Sequence, residues 1–96
     1  MNEYILLIQG NEKTATTVEE WDCFFTLARA SGAFRDGSEI GQREMIGDKQ
    51  TALASDHIVG YMRFDSDDKQ MLLELLQKHP VVLHGGSVEL CELLKS

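Results

Sequence analysis

From Ile58 to Phe64 every second residue is apolar or glycine (Ile58, Gly60, Met62, Phe64), and the run passes without a break into Asp65-Ser66-Asp67-Asp68. Alternation with period two marks a strand with one covered face. A short acidic and hydroxyl-rich stretch offers side-chain oxygens to the orphan N–H groups of a helix start. A strand that feeds directly into a helix constrains everything around it, because the flanking segments must supply the remaining strands and a cover for the apolar face. Read outward from this junction, the chain has the order β-α-β-β-α-β.

The flanking segments fit that order. Tyr4-Ile5-Leu6-Leu7-Ile8 is apolar at five consecutive positions and is stopped by Gly10-Asn11, which predicts a first strand covered on both faces. Thr17-Val18-Glu19-Glu20 has the capping-box pattern, so helix one should begin there, with Trp21, Phe24, Phe25 and Ala28 on one face and Gly32 as its stop. A second strand is placed near Phe34 to Arg43, and Met45 to Ser55 reads as a loop or the turn of a long hairpin. Strand three is expected over His57 to Phe64. Helix two should run from about Ser66 to Lys78, with Leu72, Leu73, Leu75 and Leu76 on its face and Pro80 blocking continuation. After the Gly85-Gly86 turn, Val88 to Leu94 makes a last strand, with Val88, Leu90 and Leu94 on one side and Glu89, Cys91 and Leu93 on the other. The expected fold is one α+β domain over residues 1–96, ferredoxin-like, with two helices on one face of a four-stranded antiparallel sheet.

Two helices leave the other sheet face bare, and that face is not polar. Strand one is apolar on both sides, and Val59, Tyr61, Cys91 and Leu93 add to the side away from the helices. A second copy of the same sheet, packed face to face, is the expected cover, giving a homodimeric α+β barrel.

The formal net charge of −7, with nine basic residues scattered among sixteen acids, provides no basic stripe for a phosphate backbone, so no nucleic-acid partner is expected. The apolar run at Tyr4 to Ile8 is too short for a signal segment or a membrane span, and a cytoplasmic protein without a membrane partner is expected. Cys23 and Cys91 lack the density of a disulfide framework and read as free thiols.

Over almost its full length the chain resembles the YCII-related, or DGPF-domain, family of the dimeric α+β barrel superfamily. The resemblance rests on Tyr4-Ile5-Leu6-Leu7-Ile8-Gln9-Gly10, Ala30-Ser31-Gly32, Gly60-Tyr61 before Asp65, and the ending His79-Pro80-Val81 with Gly85-Gly86-Ser87-Val88-Glu89-Leu90. Where the family carries Asp-Gly-Pro-Phe this chain has Asp48-Lys49-Gln50-Thr51, and helix one lacks the histidine associated with the YCII branch. The resemblance therefore implies the fold and the dimer more than it implies an activity.

Candidate chemistry gathers at three places. Asp56-His57 pairs a carboxylate with an imidazole at the entrance to strand three, with Tyr61 and Arg63 further along the same side. These groups suit anion binding or acid–base work with His57 as the catalytic group and Asp56 orienting it. Trp21 and Asp22 are placed at the edge of a cleft between helix one and the sheet, with Phe24 and Phe25 behind them. His79 and His84 flank Pro80 near Glu89 and Glu92, but the two glutamates project from opposite faces of a strand. No metal site and no cofactor are expected, and His79 is assigned to the end of helix two. The leading expectation is a homodimeric small-molecule-binding protein whose ligand site includes Tyr61, Arg63, Trp21 and Asp22. The alternatives are an enzyme using His57 and a structural or regulatory dimer without ligand.

Overall fold

The computed structural model describes residues 1–94. Its elements follow the order β1 (Asn2–Gln9), α1 (Val18–Ala30), β2 (Phe34–Glu39), β3 (Ile58–Ser66), α2 (Lys69–Leu76), α3 (Pro80–Leu83) and β4 (Val88–Leu93). The strands form one antiparallel sheet in the spatial order β2-β3-β1-β4. This is the ferredoxin-like α+β arrangement, in which the first and third strands lie side by side at the centre.

Register explains why the core lies on one side. Tyr4 pairs with Phe64, Leu6 with Met62 and Leu90, and Ile8 with Gly60 and Val88, so these residues share the helix-side face. Tyr4, Leu6, Ile8, Met62 and Phe64 are buried there against Phe24 and Ala28 of α1, Leu72 and Leu76 of α2, and Val81. Of the four leucines expected on the face of α2, only the pair four residues apart is fully buried, and Leu73 is 39% exposed. Eight residues make barely two turns, so a single row is in contact.

The caps set the helix positions. Thr17 Oγ1 accepts from the Glu20 N–H at 3.2 Å and Glu20 Oε1 accepts from the Thr17 N–H at 2.9 Å, completing the expected capping box. Asp68 caps α2 by accepting from the Met71 N–H at 3.0 Å, so that helix starts three residues later than Ser66. Gly32 takes a φ of 76° just after α1, in the left-handed region where glycine carries no Cβ penalty.

Two boundaries differ from expectation. Pro80 does end the stretch after α2, yet it also opens a third helix: at the first helical position its missing N–H has no partner to lose. His79 accordingly does not close α2. It is the N-cap of α3, its Nδ1 accepting from the Val81 N–H at 3.2 Å. Strand β2 stops at Glu39 rather than Arg43, because Arg43 turns back to donate to the Ser55 carbonyl at 2.6 Å and to the Ile58 carbonyl. That guanidinium fastens the base of the long β2–β3 loop. Within the loop Asp48 accepts from the Gln50 N–H and the Thr51 hydroxyl at 2.9 and 2.8 Å, so this aspartate shapes a turn. Among the described residues no helix is long and apolar enough to cross a membrane.

Candidate functional site

Between α1 and the β2–β3 half of the sheet lies a cleft of about 650 Å³. Trp21 and Phe25 form one wall, and Ile8 and Val81 close it at the side of β1 and α3. Its floor is unusual in composition, since the helix-side positions 37 and 60 are both glycine. Strand pairing excludes a side chain at Gly37 and crowds one at Gly60. A Cβ at Gly37 would lie 2.6 Å from the Tyr61 carbonyl oxygen, and one at Gly60 would lie 3.1 Å from that of Ser38. Close strand approach thus removes the side chains that elsewhere on this face fill the space under the helices.

Trp21 is held by both a polar and an apolar contact. Its indole Nε1–H donates to Thr16 Oγ1 at 3.0 Å, and its ring packs 6.1 Å from Phe25 and 4.9 Å from the imidazole of His79. Thr16 belongs to the loop that leads into the capping box, so the helix cap and the tryptophan orientation are built by adjacent residues. The cleft's remaining polar side chains are Glu12, Ser38, Glu39 and Tyr61, and the Ser38 hydroxyl donates to the Glu39 carbonyl at 2.8 Å. The volume falls within the roughly 300–1,000 Å³ of small-molecule sites, and an apolar wall with a few polar groups is their usual make-up.

Two histidines stand behind and beside this cleft in opposite surroundings. His79 is fully buried, and burial pushes its imidazole down to about 4, which keeps it neutral at neutral pH. Because Nδ1 accepts from Val81, the proton resides on Nε2. That nitrogen has no hydrogen-bond partner among the described residues and lies among Trp21 and Phe24, whose rings meet the imidazole edge-on at 4.9 and 4.8 Å. His84 instead bridges a loop and the first turn of α1: Thr14 Oγ1 lies 2.6 Å from Nδ1, and Nε2–H donates to Glu20 Oε2 at 2.7 Å. The imidazole, together with Thr17, holds the Glu20 carboxyl below the usual carboxylate range. The hydroxyl–imidazole–carboxylate row has the chemistry of a proton relay. Neither Thr14 nor His84 lines the cleft, however, and the other Glu20 oxygen is committed to the helix cap, so the row acts as a tie between the start of α1 and the end of α3.

The residues singled out from sequence are dispersed. His57 lies in the turn before β3, exposed, with its carbonyl accepting from the Gly10 N–H and no side-chain hydrogen bond among the described residues. Asp56 is 3.8 Å from Arg43 and does not orient the imidazole. Arg63 lies on the sheet face away from the helices and donates to Asp36, with Nε to Oδ1 at 2.7 Å, which lowers the aspartate's pKa. Asp22 is exposed on α1 and does not line the cleft. Trp21 and Tyr61 do line it, although register puts the Tyr61 side chain with Leu7 and Ser38, at the boundary with the open face. Two of the expected ligand residues, Trp21 and Tyr61, thus share the cleft, with Phe25 beside Trp21 as expected, whereas Glu12, Thr16 and Glu39 were not anticipated in its lining. Phe25 was legible in the aromatic stripe of α1. Glu12 and Glu39 sit on a loop and an exposed strand end, where no periodicity marks them.

Among the described residues no group of three or more histidine, cysteine, aspartate or glutamate side chains is gathered as a metal site would require. No protein-family model and no curated protein matches the chain.

Proposed function

We propose that the chain is a small-molecule-binding protein of the YCII-like type, working as a homodimer joined through its sheets, with the ligand held in the cleft between α1 and the β2–β3 half of the sheet. The observation that carries this reading is the cleft itself, about 650 Å³ in a chain of 96 residues, walled by Trp21 and Phe25 over a glycine floor. A solvent-open cleft with these walls leaves aromatic and aliphatic surface in contact with water, and a ligand covers it. The dimer is supported by the open sheet face, where Ile5, Leu7, Tyr61 and Cys91 are only half-buried and Val59 and Leu93 are 41% and 38% exposed.

Trp21 is the single tryptophan, so its emission reports on the cleft directly. A thermal-shift screen against a metabolite panel should yield a compound that raises the melting temperature and also changes Trp21 emission. Hits that stabilise the protein without altering the emission, or a panel without hits, count against binding in the cleft.

A further inference from the structure

We infer that the cleft selects a small organic cation, an amine-bearing molecule with an apolar or aromatic body. The inference rests on the binding reading of the cleft proposed above and adds the charge of its ligand. The first support is the charge of the lining: its only ionisable acids or bases apart from Tyr61 are Glu12 and Glu39, with no lysine, arginine or histidine.

The second support is that these two carboxylates are uncommitted. Among the described residues, ion pairs engage Glu3 and Asp65 with Arg35, Asp36 with Arg63, Asp56 with Arg43, and Asp67 with the N-terminal amine, while Glu20 is hydrogen-bonded to His84. Glu12 and Glu39 appear in no ion pair and no side-chain hydrogen bond there, although Glu12 is half-buried. Neither carboxylate is neutralised by a basic side chain among the described residues.

Hydrogen-bond polarity points the same way. The cleft's indole N–H is used on Thr16 and the Ser38 hydroxyl proton on the Glu39 carbonyl, which leaves two carboxylates that can only accept beside the Thr16 and Tyr61 hydroxyls, which can donate or accept. A ligand that donates is matched to this rim, and a carboxylate or phosphate is not. The walls suit a cation as well, because the faces of Trp and Phe attract positive charge. Phe25 already has the Arg29 guanidinium 5.5 Å from its centroid. A net charge of −7 adds a long-range field of the same sign.

Three probes with one phenyl body separate the possibilities: phenethylamine, 2-phenylethanol and 3-phenylpropionate, each titrated while Trp21 emission is followed. The amine should bind about tenfold more tightly than the alcohol, with the carboxylate weakest, and the preference should shrink as salt is raised. Glu12→Gln and Glu39→Gln are conservative changes at positions outside the core. Each should weaken the amine roughly three- to tenfold and leave the alcohol unchanged. Equal binding of all three probes, or amine binding indifferent to both substitutions, overturns the inference while leaving the cleft as a binding site. Silence from all three also overturns it, and the metabolite panel then judges the cleft by itself.

Discussion

The two faces of the sheet are made by the same strands, yet they are in different physical states. On the helix side Tyr4, Leu6, Met62 and Phe64 are at most 3% exposed, and no charged side chain is buried among them. On the other side the centre is apolar, with Ile5, Leu7 and Cys91, but the β2 and β3 margins carry ion pairs: Arg63 with Asp36, and Arg35 with Glu3 and Asp65. The difference lies less in composition than in what covers each face. Helices exclude water from the first. On the second, exposed ion pairs contribute little to stability, and Arg63 with Asp36 ties β3 to β2 across the sheet.

The comparison breaks first at the helix-side core. Phe64→Ala removes a fully buried ring that packs 5.7 Å from Phe34, and should cost about 3–5 kcal/mol in urea unfolding. A loss of only ~1 kcal/mol would mean that this face does not supply most of the stability.

The second prediction concerns His79, the titratable ring enclosed on the same side. Burial depresses its pKa in the folded chain to about 4, below the ordinary imidazole value of 6.5, so the unfolded chain takes up the proton first as pH falls. Its neutral form therefore supports the fold fully above pH 6.5, and that support is lost progressively between pH 6.5 and about 4. At about 1.4 kcal/mol per pH unit the loss is on the order of 3 kcal/mol, and it should be absent from the pH profile of His79→Phe measured against its own stability at pH 7. Matching slopes in the parent and the variant would show that the ring is not kept neutral.

The third concerns the open face and has the smallest expected effect on a single chain. Leu7→Asp places a charge at the apolar centre of that face. If two sheets pack together, the parent should scatter light as a dimer at micromolar concentration, and the variant should scatter as a monomer with unchanged far-UV circular dichroism. A monomeric parent removes the case for sheet-to-sheet pairing.

Much of the architecture was legible in the residues because it is local. The capping box at Thr17 and Glu20, the alternation through Ile58 and Phe64, the stop at Gly32 and the turn at Gly85-Gly86 are each decided by neighbours within about four positions, the range over which helix and strand periodicities act. Where local signals were read for one role only, they misled: Pro80 signalled an ending and also made a beginning, and His79 moved from the end of one helix to the cap of another.

The candidate site was hardly legible, and the reason is distance along the chain. The cleft draws on Glu12, Trp21, Glu39, Gly60 and Val81, and the tie between Glu20 and His84 spans 64 residues. No spacing rule connects such positions, since their separation is fixed by strand order and register rather than by periodicity. Sequence alone determined that this chain makes an α+β sheet with apolar residues on both faces. Only the tertiary structure decided which histidine is enclosed, and that two glycines at a close strand approach would leave a cleft beside two unpaired carboxylates.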